Sequence, residues 1–173
     1  YKGTKSRLNL LYCNKCTLIQ LSHLAPQEIM YRRFYWYKSG VTKTMRDGLK
    51  ELFLDCMKKA KLKKNDVVLD IGANDGTLLK YFKSKKIKTI GCEPANNLKF
   101  ELKKNCTHII NNFWSKKELF KILNQKKLQK PKLITAIGMF YDLEDPNKFI
   151  KDAAESLDDK GIFVAQLMSL KSM

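Results

Sequence analysis

Arginine is scarce in this chain. Of 34 basic residues only four are Arg (Arg7, Arg32, Arg33 and Arg46), set against 17 Asp and Glu and a formal charge of +17. That balance would suit a polyanionic partner. The lysines, however, are scattered through helices and turns, as in Lys58-Lys59, Lys85-Lys86 and Lys126-Lys127, and with abundant Asn and Ile they read as a solvated surface and a coding bias. Nucleic acid is therefore not the expected partner. No apolar run reaches the roughly 18 residues of a membrane span, so no membrane is expected. The first residues, Tyr1-Lys2-Gly3-Thr4, carry no apolar signal core, and the chain reads as cytoplasmic. They also lack an initiator Met, so the true start is expected upstream. Histidine is limited to His23 and His108. Cysteines number five, and an odd count argues for free thiols or a metal site over a disulfide framework.

What is present is organised around Val67-Val68-Leu69-Asp70-Ile71-Gly72-Ala73-Asn74-Asp75-Gly76-Thr77-Leu78-Leu79. A β-branched apolar run ends at Asp70, a turn holding Gly72 and Gly76 follows, and a periodic helix begins. This reads as a buried strand, a tight glycine loop and a helix N-terminus, the place where an α/β sheet receives a nucleotide-like ligand. Glycine lets the backbone approach that ligand closely. Asp70 can bind a cationic or hydroxyl-bearing group there. The dinucleotide fingerprint G-x-G-x-x-G is not met, which disfavours an NAD-dependent oxidoreductase. The pattern Asp70-x-Gly72-x-Asn74-x-Gly76 instead resembles the first motif of class I S-adenosylmethionine (SAM) methyltransferases. In that family the loop lies under the methionine part of SAM, and an acid ending the second strand grips the ribose hydroxyls. Glu93, in Ile90-Gly91-Cys92-Glu93-Pro94, stands in that place, one strand-turn-helix-strand unit after Asp70.

Residues 1–40 read differently. Cys13-x-x-Cys16 sits between two short apolar runs, half of a zinc ribbon whose tetrahedral site needs four ligands. No second C-x-x-C follows, and a first pair is expected upstream of Tyr1. His23 is a weak candidate for a third ligand, since a lone His is more often an ordinary surface residue. Pro26 to Tyr31 reads as a short helix. An aromatic cluster follows at Tyr31, Phe34, Tyr35, Trp36 and Tyr37, either packing between two units or turning a tyrosine hydroxyl toward a substrate. Val41 to about Lys61 reads as an amphipathic connecting helix, with Met45, Leu49, Leu52, Phe53, Cys56, Met57 and Ala60 on one face.

From there strands and helices alternate. Strands are expected at 67–71, 89–92, 107–110, 133–137 and 162–167, with helices at 76–85, 96–104, 116–125 and 147–157. Ser115 and Glu118 form a capping-box pattern before the third of these helices. The alternation predicts an α/β, Rossmann-like, doubly wound and mostly parallel sheet. The expected organisation is a partial zinc-binding, substrate-side segment at 1–40, the connecting helix at 41–64 and a SAM-binding domain at 65–173.

Further motifs carry a more specific resemblance. They are Tyr35-x-Tyr37-x-Ser39-Gly40, the Asn-Asp-Gly form of the glycine loop, Phe140-Tyr141-Asp142-x-Glu144-Asp145-Pro146 and Gly161-Ile162-Phe163-Val164-x-Gln166-Leu167. With the Cys13–Cys16 pair, these resemble the SAM-dependent sugar C-methyltransferases of deoxysugar-nucleotide pathways. The resemblance implies an N-terminal zinc domain, a central SAM domain and a further C-terminal domain. It implies a nucleotide sugar as small-molecule substrate, SAM as cofactor and zinc in a site half present here, at Cys13 and Cys16. Asp70, Gly72, Asn74 and Gly76 would position the methionine moiety, and Glu93 the ribose. Phe113 and Trp114 are candidates to flank the adenine, and Phe140 the methyl-transfer side. Tyr35, Tyr37 and Tyr141 are candidates on the substrate side.

Departures from the family are also visible. Gly138 replaces an expected polar residue, and the family's proposed deprotonating residues, a Tyr and a Glu-His pair, lie further on. No catalytic base is expected within these residues, nor any role for His108. The chain is thus expected to be a fragment, inactive alone and prone to self-association along an open fifth strand that reads as buried on both faces. A keto group would acidify the neighbouring carbon, a base would remove its proton, and the enolate would attack the methyl in line. Rival readings are a SAM enzyme acting on RNA and a binding module without chemistry. Nothing in the sequence sets an oligomeric state.

Overall fold

A computed structural model describes residues 7–23 and 25–167. The start at Tyr1–Thr4 and the tail from Met168 lie outside the described residues. A short antiparallel hairpin comes first, β1 (Leu10–Tyr12) and β2 (Ile19–Leu21), with the Cys13–Cys16 stretch as its turn. Helix α1 (Lys43–Lys59) starts where the Thr42 side chain accepts a hydrogen bond from the Met45 amide. The main sheet then alternates β3 (Val67–Ile71), α2 (Thr77–Ser84), β4 (Lys88–Cys92), α3 (Lys99–Asn105), β5 (His108–Ile110), α4 (Lys116–Lys126), β6 (Leu133–Ile137), α5 (Pro146–Ser156) and β7 (Ile162–Gln166).

The five strands are all parallel, in the order β5-β4-β3-β6-β7. Side chains of β3 alternate between two cores. Val68 faces one with Leu49, Phe53, Leu79, Phe82 and Leu102, so α1, α2 and α3 cover that face. Val67, Leu69 and Ile71 face the other with Leu119, Leu123, Phe149 and Ala153, so α4 and α5 cover it. Burial from both sides is why these strands read as continuous apolar runs. The apolar face expected of α1 is the one that packs, through Leu49, Phe53 and Cys56.

Several expectations shift. The short helix after Pro26 is a single π turn, Glu28–Arg32. Helix α3 begins at Lys99, not 96, because Asn97 turns its side chain onto the Tyr35 backbone. Ser115 precedes α4 but forms no side-chain cap bond, so the capping box is not made. Strand β7, expected to be buried on both faces, is only half-buried at Ile162–Val164 and exposed at Ala165 and Gln166. It is an edge among the described residues.

Candidate active site

The sheet order reverses between β4-β3 and β6-β7, and the crevice beyond the carboxyl ends of β3 and β6 is where such sheets bind ligands. A cavity of about 690 Å³ opens there, within the usual range for small-molecule sites. Its floor is the loop after β3. Gly72 holds φ +74°, and a Cβ there would come within 2.9 Å of the Met139 side chain, so only glycine fits. Asn74 also takes a left-handed φ of 52°. Gly76 caps α2 at φ 78°, yet it faces Leu102 and Asn105 and does not line the cavity.

Two buried carboxylates sit under this loop. Asp70 is 3% exposed and accepts the Thr135 hydroxyl at 2.6 Å. Burial pushes its pKa up to about 7, Thr135 opposes the shift and the nearby Glu93 adds to it. Glu93 is 6% exposed. Its two oxygens accept the Asn74 and Ala95 amides, each at 2.9 Å. Burial raises its pKa while those two amides hold it down. A carboxylate has about four lone-pair positions, so each oxygen keeps capacity for a ligand hydroxyl. Two buried acids side by side favour a cationic ligand.

The roof is a strap, residues 31–42, that crosses from the π turn to α1. Asn74 donates to the Tyr37 carbonyl at 3.0 Å and accepts the Ser39 amide at 3.0 Å. Asp75 accepts the Gly40 amide at 2.8 Å, and also the amide and hydroxyl of Thr77 at the start of α2. Asn97 pairs with both backbone groups of Tyr35, at 2.9 and 3.0 Å. Lys38 pairs with Glu101. Held in this way, Tyr31, Tyr35 and Tyr37 face the cavity, while Phe34 and Trp36 meet edge-to-face at 4.7 Å and stay exposed.

The remaining candidates divide. Phe113, Trp114 and Tyr141 line the cavity. Phe113 also lies under the Arg32 guanidinium at 5.1 Å, and Trp114 packs edge-on against Phe149. Phe140 does not line the cavity; it packs on Phe149 at 5.6 Å. Sequence reasoning gave no site role to Ser39, Met139 or to Tyr31 in particular, though all three line the cavity. For Ser39 and Tyr31 the signal was the Tyr-x-Ser-Gly run and the aromatic cluster, but neither says which residues turn inward; Met139 carried no signal. Cys13 and Cys16 remain a pair. Among the described residues no group of three or more His, Cys, Asp and Glu converges, and His23 Nδ1 lies 2.9 Å from the Ser22 hydroxyl. Two thiols do not complete a tetrahedral zinc site.

Comparison with known proteins adds the following. A family model described as a methyltransferase domain matches residues 37–171. The C-methyltransferase NovU of Streptomyces niveus is 25% identical over 91 residues, 53% of this chain and 21% of the relative. The chain therefore spans about one fifth of the length of that curated relative. Among solved structures, a SAM-dependent methyltransferase from Thiobacillus denitrificans in complex with S-adenosyl-L-homocysteine has a TM-score of 0.51 at 17% identity, over 69% of this chain and 47% of that one. The plantazolicin methyltransferase BamL, in complex with a triazolic desmethylPZN analogue and SAH, has a TM-score of 0.53 at 19% identity, over 71% and 46%. At these identities the likeness shows the fold, a Rossmann-like sheet of the class I methyltransferase kind.

Proposed function

The chain belongs to the methyltransferase-domain family, and on that premise we propose that it uses SAM to methylate a carbon of a nucleotide-linked keto-deoxysugar. One observation carries the cofactor: Glu93, at the end of β4, ties its carboxylate to the Asn74 amide of the glycine loop beside buried Asp70. Carboxylate oxygens and a negative field thus share one cavity floor. When bound, SAM supplies an electrophilic methyl on a cationic sulfur. Glu93 would accept the ribose hydroxyls, charge-assisted bonds of the stronger kind. The Gly72 backbone permits close approach of the methionine part, and Asp70 offsets its positive charge. Phe113 and Trp114 would border the adenine. Tyr35, Tyr37 and Tyr141 would border the sugar.

Methylation at carbon is supported by the relative named as a C-methyltransferase, and the sugar by the motif resemblance that runs from Cys13 to Leu167. Glu93→Ala should weaken SAM binding by about 1.5–3 kcal/mol, the value of hydrogen bonds to a charged group. Isothermal titration reads this directly. Unchanged affinity in the variant would remove the assignment.

A further inference from the structure

At the side of the sheet away from β7, strand β5 is also an edge. Among the described residues it pairs only with β4, Ile109 lying opposite Gly91. The bonds around it run one way: the Thr107 amide donates to the Thr89 carbonyl at 3.1 Å, and the Ile110 carbonyl accepts the Glu93 amide at 3.0 Å. An edge strand presents unpaired N–H and C=O groups, and proteins that keep such an edge unpaired blunt it with Pro, Lys or a bulge, or cover it. The run Thr107-His108-Ile109-Ile110 holds neither proline nor lysine. Burial, then the charges of Lys126 and Lys88, lower the His108 pKa, so its ring is neutral at neutral pH.

A groove of about 290 Å³ runs beside this strand. Helices α3 and α4, on opposite faces of the sheet, form its walls. Ile109 packs with the core under α3, and Ile122 of α4 with the core on the other face. Lys103 of α3 and Lys126 of α4 stand over the two sides. No carboxylate lines the groove among the described residues. Neither Lys103 nor Lys126 has an ion-pair partner there. An extended segment laid along β5 would turn alternate side chains to the two walls. On each it would meet an apolar surface and an uncompensated cation: Ile109 and Lys103 on one, Ile122 and Lys126 on the other. The groove thus has the opposite sign to the acidic cavity, and the two share no lining residue.

We infer that the β5 edge is a docking site for an acidic, extended segment of a partner protein, which adds a strand to the sheet and sets its carboxylates against Lys103 and Lys126. Main-chain pairing supplies affinity, and the paired apolar and basic groups select the sequence. The site stands independently of the function proposed above, and its occupation leaves the cavity open.

The test uses the full chain and a fluorescein-labelled peptide of alternating Glu and Val, with one of alternating Lys and Val as control. Anisotropy reads binding, and hydrogen exchange by NMR follows the amides of His108, Ile109 and Ile110. The acidic peptide alone should bind, and at least one of these amides should then exchange at least about tenfold more slowly, as expected of a newly paired strand. Lys103→Glu with Lys126→Glu should weaken binding at least about tenfold, two exposed attractions having become repulsions. Lys103→Gln with Lys126→Gln removes only the attraction and should give an intermediate loss, so misfolding of one variant does not decide the result. Lys58→Glu with Lys59→Glu, the same charge change at the end of α1, should leave affinity within about twofold, because distant exposed charges are screened. Equal weakening by the α1 pair would reduce the binding to the general pull of a basic chain and overturn the site. Binding without slower exchange in β5 overturns the strand addition. No binding up to about 1 mM peptide, where affinity is marginal, overturns the proposal as a whole. Protection of β5 in the free chain would give the groove to a second copy if it grows with concentration, and to another part of this chain if it does not; either result overturns the partner. So does a single-stranded RNA that displaces the peptide.

Discussion

Asp70 is a carboxyl group whose folded environment works against its own ionisation. In the unfolded chain it titrates near 3.8, and in the folded chain near 7. Between those values the folded state binds the extra proton, so its contribution to stability is full below the lower value and is lost as pH rises through the higher. Over about three units this is on the order of 4 kcal/mol. Asp70→Asn should therefore flatten the fall in melting temperature between pH 5 and pH 8, as thermal unfolding at the two pH values would reveal. Wild type and variant falling in parallel would contradict the assignment. At this scale much was readable in advance. A carboxylate ending an apolar run, with a second one a strand later, marks the ligand-facing end of a parallel sheet, and both are buried on one floor. Asn74 was readable as a motif residue but not as a clamp. Its side-chain bonds reach Tyr37 and Ser39, more than thirty residues back, and no local pattern encodes a partner at that distance. Phe140 was misleading because an aromatic after a strand reads the same whether it turns to the cavity or to Phe149.

Among the elements, the strap is held to the glycine loop and α2 mainly by side chains that also stabilise the loop. Asp75 is the clearest case, since one carboxylate joins Gly40 to the first turn of α2. Gly40 leaves no room for change: a Cβ there would lie 2.6 Å from the Thr77 hydroxyl and 2.8 Å from Asp75. Asp75→Ala should cost about 1–3 kcal/mol, the combined loss of a cap and of partners left unsatisfied. For a chain of this size that is a drop on the order of 5 °C in melting temperature. SAM affinity should fall with it, because the roof loosens; a calorimeter and a melting curve check the two independently. The strands and the main helices were legible because their periodicities are local. The π turn at 28–32 and the uncapped start of α4 were not, since long-range contacts decide both.

On the scale of the whole molecule, net charge and site charge have opposite signs. The chain carries +17, yet among the described residues the cavity is lined by six carboxylates against one lysine, Lys148. Lysines are spread over the solvated faces, and the acids concentrate where the sheet ends. A phosphate backbone would meet repulsion at the site itself. Any RNA bound should be held by surface lysines alone, so filter binding should vanish steeply with added salt. SAM affinity, set inside the cavity, should change by less than about twofold between 50 and 300 mM salt, because buried groups are weakly screened. RNA binding that persists at high salt and competes with SAM would reverse this reading.

Synthesis meets the strap in an awkward order. Residues 31–42 leave the ribosome before every side chain that will hold them, and Asn74, Asp75, Asn97 and Glu101 follow some 35–63 positions later. The strap must therefore wait for its partners. In the interval Tyr31, Tyr35 and Tyr37, which face the finished cavity, have nothing to close upon, and closing such a distant contact is slow relative to forming the helices between. The nascent chain should thus pass through a stage in which the sheet is growing while its aromatic roof trails free, a natural client for a ribosome-bound chaperone.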